Sequence, residues 1–284
     1  LYAVQSTGTA GIGKFVGPVM VIWFLALAAM GIANIIESPQ ILVALNPVNA
    51  WVFVHNNATV AFVALGAIVL AFTGAEALYA DMGHFGAGPI RRAWFMLIFP
   101  ALSLNYLGQG GLLLSNPAAI SNPFFQQLGS WSIYPLVFIS TIAVVVASQA
   151  TISGAFSITR QAIGLGLFPR MKIIHTSASE IGQIYMPTVN WLQMIAVLLA
   201  IIGFGSSDNL AGAYGIAVTG TMTITTVLLF FVMHYHWKWK LFPCLLISAG
   251  FFFVDIFLFS SNVLKIMSGG WFPLALGVAL YILM

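Results

Sequence analysis

Eight apolar runs, separated by charged residues and by proline, glycine or asparagine clusters, dominate this sequence. They fall at 15–36, 58–80, 93–115, 131–158, 187–205, 210–233, 241–260 and 271–284. Most come close to the ~20 residues that cross a ~30 Å hydrocarbon core as an α-helix. In lipid a backbone must satisfy its own polar groups, and helices do this within each segment. The expected fold class is therefore all-α, a polytopic bundle of about eight transmembrane spans. Composition agrees. Of the 284 residues 61% are hydrophobic and 5% are charged, too few charges to cover a soluble surface. Disorder needs low hydrophobicity, and a transmembrane β-barrel would alternate in segments of about ten residues. The single Cys244 provides neither an internal disulfide nor a cysteine metal cage. A net charge of +3 is too small to argue for nucleic acid.

The basic residues orient the bundle. Lys14 precedes the first run, Arg91 and Arg92 lie between the second and third, and Arg160, Arg170 and Lys172 lie between the fourth and fifth. Lys238 and Lys240 lie between the sixth and seventh, so that only Lys265 falls in an alternate connector. Basic residues collect on the cytoplasmic side, which places residues 1–14 inside and sends every odd-numbered span outward. The location implied is a plasma membrane, crossed several times. Both ends read as interior to something longer. Leu1 to Lys14 resembles a tail following an earlier span, and the run from 271 is short of a crossing when it reaches Met284.

Two acids lie within spans, where an ionisable group is costly and faces a cavity or a partner. Glu76 sits in AFTGAEALYADMGHFG and Asp255 in FFFVDIFLFSS. Neither shares its span with a basic residue, so each is a candidate for gaining and losing a proton. The Thr73-Gly74 step before Glu76 interrupts an apolar helix, and a mid-membrane break frees carbonyls that suit a dehydrated monovalent cation. A close helix crossing at Gly74 is the competing explanation. The sixth run opens with NLAGAYGIAVTGTMTITT, in which Tyr214 and Thr221 lie two helical turns apart on one face. This polar stripe either lines a path or bonds back to its own helix. In the fourth run Ser148, Thr151, Ala155 and Thr159 form a similar stripe, better suited to helix packing. No GxGxxG, GxxxxGK[ST] or HExxH motif occurs, so neither nucleotide-driven transport nor intramembrane proteolysis has support.

The strings TGAEALYADMGHFG, NYLGQGGLLL, ASQATISGAFSITRQAI, GQIYMPTVNW and NLAGAYGIAVTGTM closely resemble the bacterial Kup branch of the Kup/HAK/KT potassium uptake family, in the family's order and over almost the whole chain. Gly111 and Gly212 replace the usual alanines. The resemblance implies secondary active potassium uptake with a proton, by a symporter rather than an enzyme. It also implies a LeuT-like core of the amino acid–polyamine–organocation superfamily, of which this chain would be a single transmembrane-domain fragment holding the fifth to twelfth spans. The first four spans and a cytoplasmic C-terminal domain would lie elsewhere in the same protein. By the same resemblance Thr73, Gly74 and Tyr214 are expected to bind potassium, and Glu76 and Asp255 to couple protons. Asp255, outside the ten-span core, could equally serve gating or structure.

No cofactor is implied beyond the transported potassium ion and proton. The expected partners are those ions, the lipid bilayer, the protein's own earlier spans and, as an option, a second copy in a homodimer; nucleic acid is not among them. A channel-like uniporter is the rival reading, although the chain has no TVGYG filter loop. An amino-acid transporter of the same fold is another.

Overall fold

Long apolar runs become long helices. The computed structural model of the chain describes residues 1–7, 10–74, 86–176 and 184–284. Among them are helices α1 (Ala10–Glu37), α2 (Pro47–Asn56), α3 (Ala58–Ile68), α4 (Ala87–Ala93), α5 (Phe99–Ser115), α6 (Ile133–Gly164), α7 (Pro187–Phe204), α8 (Ser207–Phe231), α9 (Leu241–Val263) and α10 (Trp271–Leu283). A π-helical turn at Trp94–Ile98 joins α4 to α5, and a two-stranded antiparallel pair, β1 (Ile174–His175) with β2 (Ile184–Tyr185), precedes α7.

Seven helical segments among the described residues are long and apolar enough to cross a membrane: Val16–Glu37, Ala87–Ser115, Ile133–Gly164, Pro187–Phe204, Ser207–His236, Leu241–Val263 and Ile266–Leu283. An eighth apolar segment, Ala58–Phe72, is shorter. The chain is thus an all-α polytopic membrane protein. The second run differs most from the sequence expectation. A 3₁₀ turn at Val69–Phe72 follows α3, and the helix stops there. The rest of that run, 75–80, lies outside the described residues.

The helix ends follow local chemistry. Ser206 caps α8, its Oγ accepting from the Asn209 N–H at 3.4 Å, and Asp208 sits in the first turn, where the helix dipole favours an acid. Between α9 and α10 the chain turns at Gly269, whose φ of 144° is open to glycine alone.

The chain divides into two compact units. The first holds residues 1–51 and, as described, 86–193. In it α1 lies against α5 at backbone contact: a Cβ on Gly108 would stand 2.5 Å from the Gly31 Cα. Leu27, Met30 and Leu136 form a buried apolar cluster beside it. Below, Ile152, Phe156, Ile184, Tyr185 and Met186 make a second cluster, against which Tyr2 packs. The Gln5 and Gln149 amides exchange hydrogen bonds, and Asn190 donates to the Tyr2 carbonyl at 3.0 Å, which ties the N-terminal turn to α6 and α7. The second unit holds Val52–Gly74 and Met194–Met284. Its core is the packing of α3, α8 and α9, joined by the buried cluster of Val69, in the 3₁₀ turn after α3, with Val218 of α8 and Leu258 of α9.

Candidate functional site

Small residues let the three segments of the second unit approach closely. On α8 the buried residues are Gly212, Ala213, Gly215, Ile216, Val218, Thr219 and Thr226, among which Gly212, Gly215 and Thr219 recur at three-to-four spacing on one face. On α9 the facing residues are Asp255, Leu258, Ser261 and Asn262, all buried. A Cβ at Gly215 would collide with Asn262 Oδ1, so glycine sets the distance between these helices. Asn262 is fully buried. Its Nδ2 donates to the Leu258 carbonyl at 2.9 Å, while its Oδ1 has no hydrogen-bond partner among the described residues. An acceptor left so costs roughly 1–3 kcal/mol.

One turn further on, α9 reaches across to α3. Ser261 Oγ donates to the Phe62 carbonyl at 2.7 Å, and Lys265 Nζ donates to the Gly66 carbonyl at 3.0 Å. A Cβ on Gly66 would lie 2.9 Å from Ser261 Oγ and 3.4 Å from Lys265 Nζ. Both bonds go to carbonyls inside a helix, which already accept within the helix and have a second lone pair to give. The one basic residue outside the cytoplasmic connectors therefore clamps the C-terminal part of α3.

Deeper in the unit is Asp255, 5% exposed. Thr226 Oγ1 donates to its Oδ2 at 2.5 Å. The other threonines of α8 behave differently. The hydroxyls of Thr219, Thr221, Thr223 and Thr225 donate to the carbonyls of Gly215, Ala217, Thr219 and Thr221 respectively, at 2.7–2.9 Å. Of the two explanations for the polar stripe, bonding back to its own helix accounts for these four donors. In α6, Thr151 and Thr159 likewise donate to Ala147 and Ala155, as packing requires.

The helix break lies where Thr73-Gly74 was expected to make one. Thr73 is extended (φ −79°, ψ 172°), and Gly74 has φ 111°, a conformation costly for any other residue. Thr73 Oγ1 donates to the Leu70 carbonyl at 3.2 Å, which leaves its lone pairs free to accept. Among the described residues no atom lies within 4 Å of where a Gly74 Cβ would be, and none of them makes a close helix crossing there.

Helical rise then sets the depths. Phe72 follows Gly66 by six residues, about 11 Å with the 3₁₀ turn at about 2.0 Å per residue, and Asp255 precedes Ser261 by six, about 9 Å at about 1.5 Å per residue. The second and seventh spans run in opposite directions, and Gly66 touches Ser261. The break and the Asp255–Thr226 pair therefore fall at one depth. Tyr214 does not. It precedes Val218 by four residues while Thr73 follows Val69 by four, through a 3₁₀ turn, so the two lie roughly 14 Å apart along the axis, on opposite sides of the valine contact. Tyr214 is 42% exposed, off the buried face of α8. Glu76, with Asp81 and His84, lies outside the described residues.

Sequence reading passed over Gly66, Ser261 and Asn262, and left Thr226 undistinguished within the polar stripe of the sixth run. Their signal was present: Asp255, Leu258, Asn262 and Lys265 recur at spacings of three, four and three, a polar-rich stripe on one helix face.

The seven span-length helices, the helix end at Thr73-Gly74 and the buried Asp255 define a polytopic α-helical membrane protein. Residues 1–284 match the model of the K+ potassium transporter integral membrane domain, and the chain belongs to that family, one of transporters rather than enzymes. It is 67% identical to the probable potassium transport system protein Kup of Herminiimonas arsenicoxydans and 65% identical to that of Janthinobacterium sp. (strain Marseille), and 56% identical to Kup 2 of Cupriavidus necator. Each alignment covers all of this chain and 45% of the relative; the chain spans about half the length of the curated relatives it matches. No solved structure matches it.

Proposed function

We propose that the protein carrying this chain takes up potassium by secondary active transport, with a proton as co-substrate, through a LeuT-like core. The observation that carries this reading is the break at Thr73-Gly74 in an otherwise apolar segment, level with the buried Asp255–Thr226 pair. Freed carbonyls, the Thr73 hydroxyl and a nearby acid form an all-oxygen environment suited to a monovalent cation. The names of the relatives, which are potassium transport system proteins, support the same substrate.

In this mechanism Thr73 and Gly74 supply oxygens at the deeper station, and Tyr214 supplies its phenol oxygen roughly 14 Å further out, so that potassium meets the two in succession. Glu76 and Asp255 carry the coupling proton. Protonating either changes the charge beside the ion by one unit, which biases the equilibrium between inward- and outward-facing states. The membrane potential contributes about 2.3 kcal/mol per charge per 100 mV, so import of two positive charges together is strongly driven.

Proteoliposomes with the full-length protein test the substrate. Rubidium uptake should be competed by potassium and unaffected by amino acids. Competition by amino acids instead would assign the fold to another substrate class.

A further inference from the structure

The outer end of the first unit contains a cavity of about 510 Å³ that none of the residues discussed above occupies. Asn34, Glu37, Ser115, Asn116, Gln126 and Gln127 line it, with Trp131 at its side. All belong to one unit. We infer that this cavity is a cation site, for a partly hydrated monovalent ion of the alkali class.

Charge is the first ground. Residues 15–74 and 93–159 contain neither lysine nor arginine, and Glu37 is the only acid in either stretch. Every charged group these stretches bring to the cavity is thus negative. Glu37 also ends α1, where the helix dipole repels a carboxylate rather than favouring it. The α5 helix ends at Ser115, on the same cavity. Two helix C-termini, each equivalent to about half a negative charge, therefore converge with a carboxylate that no lysine or arginine of these two stretches balances.

Asn34 supplies an independent ground. It is 2% exposed and has both its N–H groups committed, to the Met30 carbonyl and the Gln127 carbonyl at 2.9 Å each. Two carbonyl acceptors fix the orientation of the amide, because only its nitrogen can donate to them. Oδ1 is left over, and it accepts no hydrogen bond from any described residue. Gln127, 5% exposed, is held in turn: its Nε2 donates to the Phe124 carbonyl at 3.2 Å and its Oε1 accepts from Asn105 Nδ2 at 3.4 Å. Gln109 donates to Asn105 Oδ1 at 2.7 Å and completes the support. The walls thus offer oxygens held in place by a buried amide network.

The chemistry of the donors selects the ion. One carboxylate among neutral oxygens matches a single positive charge, whereas calcium sites gather several carboxylates within 2.3–2.6 Å. Water takes about 30 Å³ per molecule, so this cavity holds an ion together with much of its hydration shell. It is a place of capture rather than of dehydration. A site of this sign raises the local concentration of a counter-ion by a factor of about 10 or more, less as salt screens it.

Thallium(I), a monovalent ion that quenches indole fluorescence, reads the site without transport. The probe is added to the full-length protein in potassium-free choline buffer. The Trp131 contribution is obtained as the difference between the wild type and Trp131→Phe. Saturable quenching, displaced by potassium and weakened at least fivefold in Glu37→Gln but not in Glu37→Asp, is the expected result. Quenching that never saturates, an unchanged Glu37→Gln, or displacement by calcium in preference to potassium would each overturn the inference. Rubidium uptake gives a second measurement should Trp131→Phe misfold. Its apparent KM should rise three- to tenfold in Glu37→Gln, with loss of the wild type's dependence on ionic strength; an unchanged KM would contradict the assignment. Because thallium binding does not depend on movement, a failure here is distinguishable from a failure of the transport reading.

Discussion

Replacing Thr226 by valine removes one hydroxyl at nearly constant volume, from a contact whose acceptor, Asp255, is 5% exposed. A hydrogen bond to a charged group contributes about 1.5–3 kcal/mol and a neutral one about 0.5–1.5. If Asp255 is ionised in the resting protein, Thr226→Val should therefore cost about 2 kcal/mol. In an Asp255→Asn background the same change breaks only a neutral bond and should cost about 1 kcal/mol. The difference, about 1 kcal/mol, is the coupling energy of the cycle. Stability would be measured by SDS-induced unfolding of the full-length protein in mixed micelles, followed by tryptophan fluorescence. An equal cost in both backgrounds would mean that the contact holds no charge, and the reasoning that makes Asp255 a proton carrier would fail with it.

Other tests reach the rest of the account. Gly108→Ala places a methyl group 2.5 Å from the Gly31 Cα, so α1 and α5 must part; a loss of about 1–3 kcal/mol in the same unfolding assay is expected. Gly250→Ala, in α9 with no atom within 4 Å of the new Cβ, should instead stabilise by about 0.5–1 kcal/mol. Lys265→Met removes the bond to the Gly66 carbonyl and should increase hydrogen exchange in α3, while leaving α1 and α5 protected. Glu76→Gln should abolish the proton dependence of rubidium uptake, measured against external pH; uptake that keeps its pH dependence would remove Glu76 from the coupling step.

Much of this was legible in the sequence because lipid imposes a simple rule. The apolar runs at 187–205 and 241–260 are close to α7 and α9, since nothing in them competes with helix formation. Thr73-Gly74 was legible for the complementary reason, as a hydroxyl and a flexible backbone standing where an apolar helix should continue. The partners of the polar residues were not legible. Nothing local distinguishes Thr226, which reaches Asp255, from Thr225, which bonds its own helix one turn back. The choice is made by which face of α8 meets α9, and Gly212, Gly215 and Asn262 decide that by packing. Tyr214 illustrates the same limit: seven residues from Thr221 by sequence, it shares its face, yet both lie off the buried stripe that faces α9. Glu37 directly follows the apolar run 15–36, but its setting depended on α5 ending beside it.

The central claim is that potassium moves uphill on a proton gradient. Full-length protein in proteoliposomes, with equal rubidium on both sides and an inward proton gradient of one pH unit at zero voltage, tests it most directly. One-to-one symport should concentrate rubidium inside by up to about tenfold, since one pH unit and a tenfold concentration ratio are the same 1.4 kcal/mol. Rubidium that stays at equal concentration on both sides, whatever the proton gradient, would describe a channel and contradict the account.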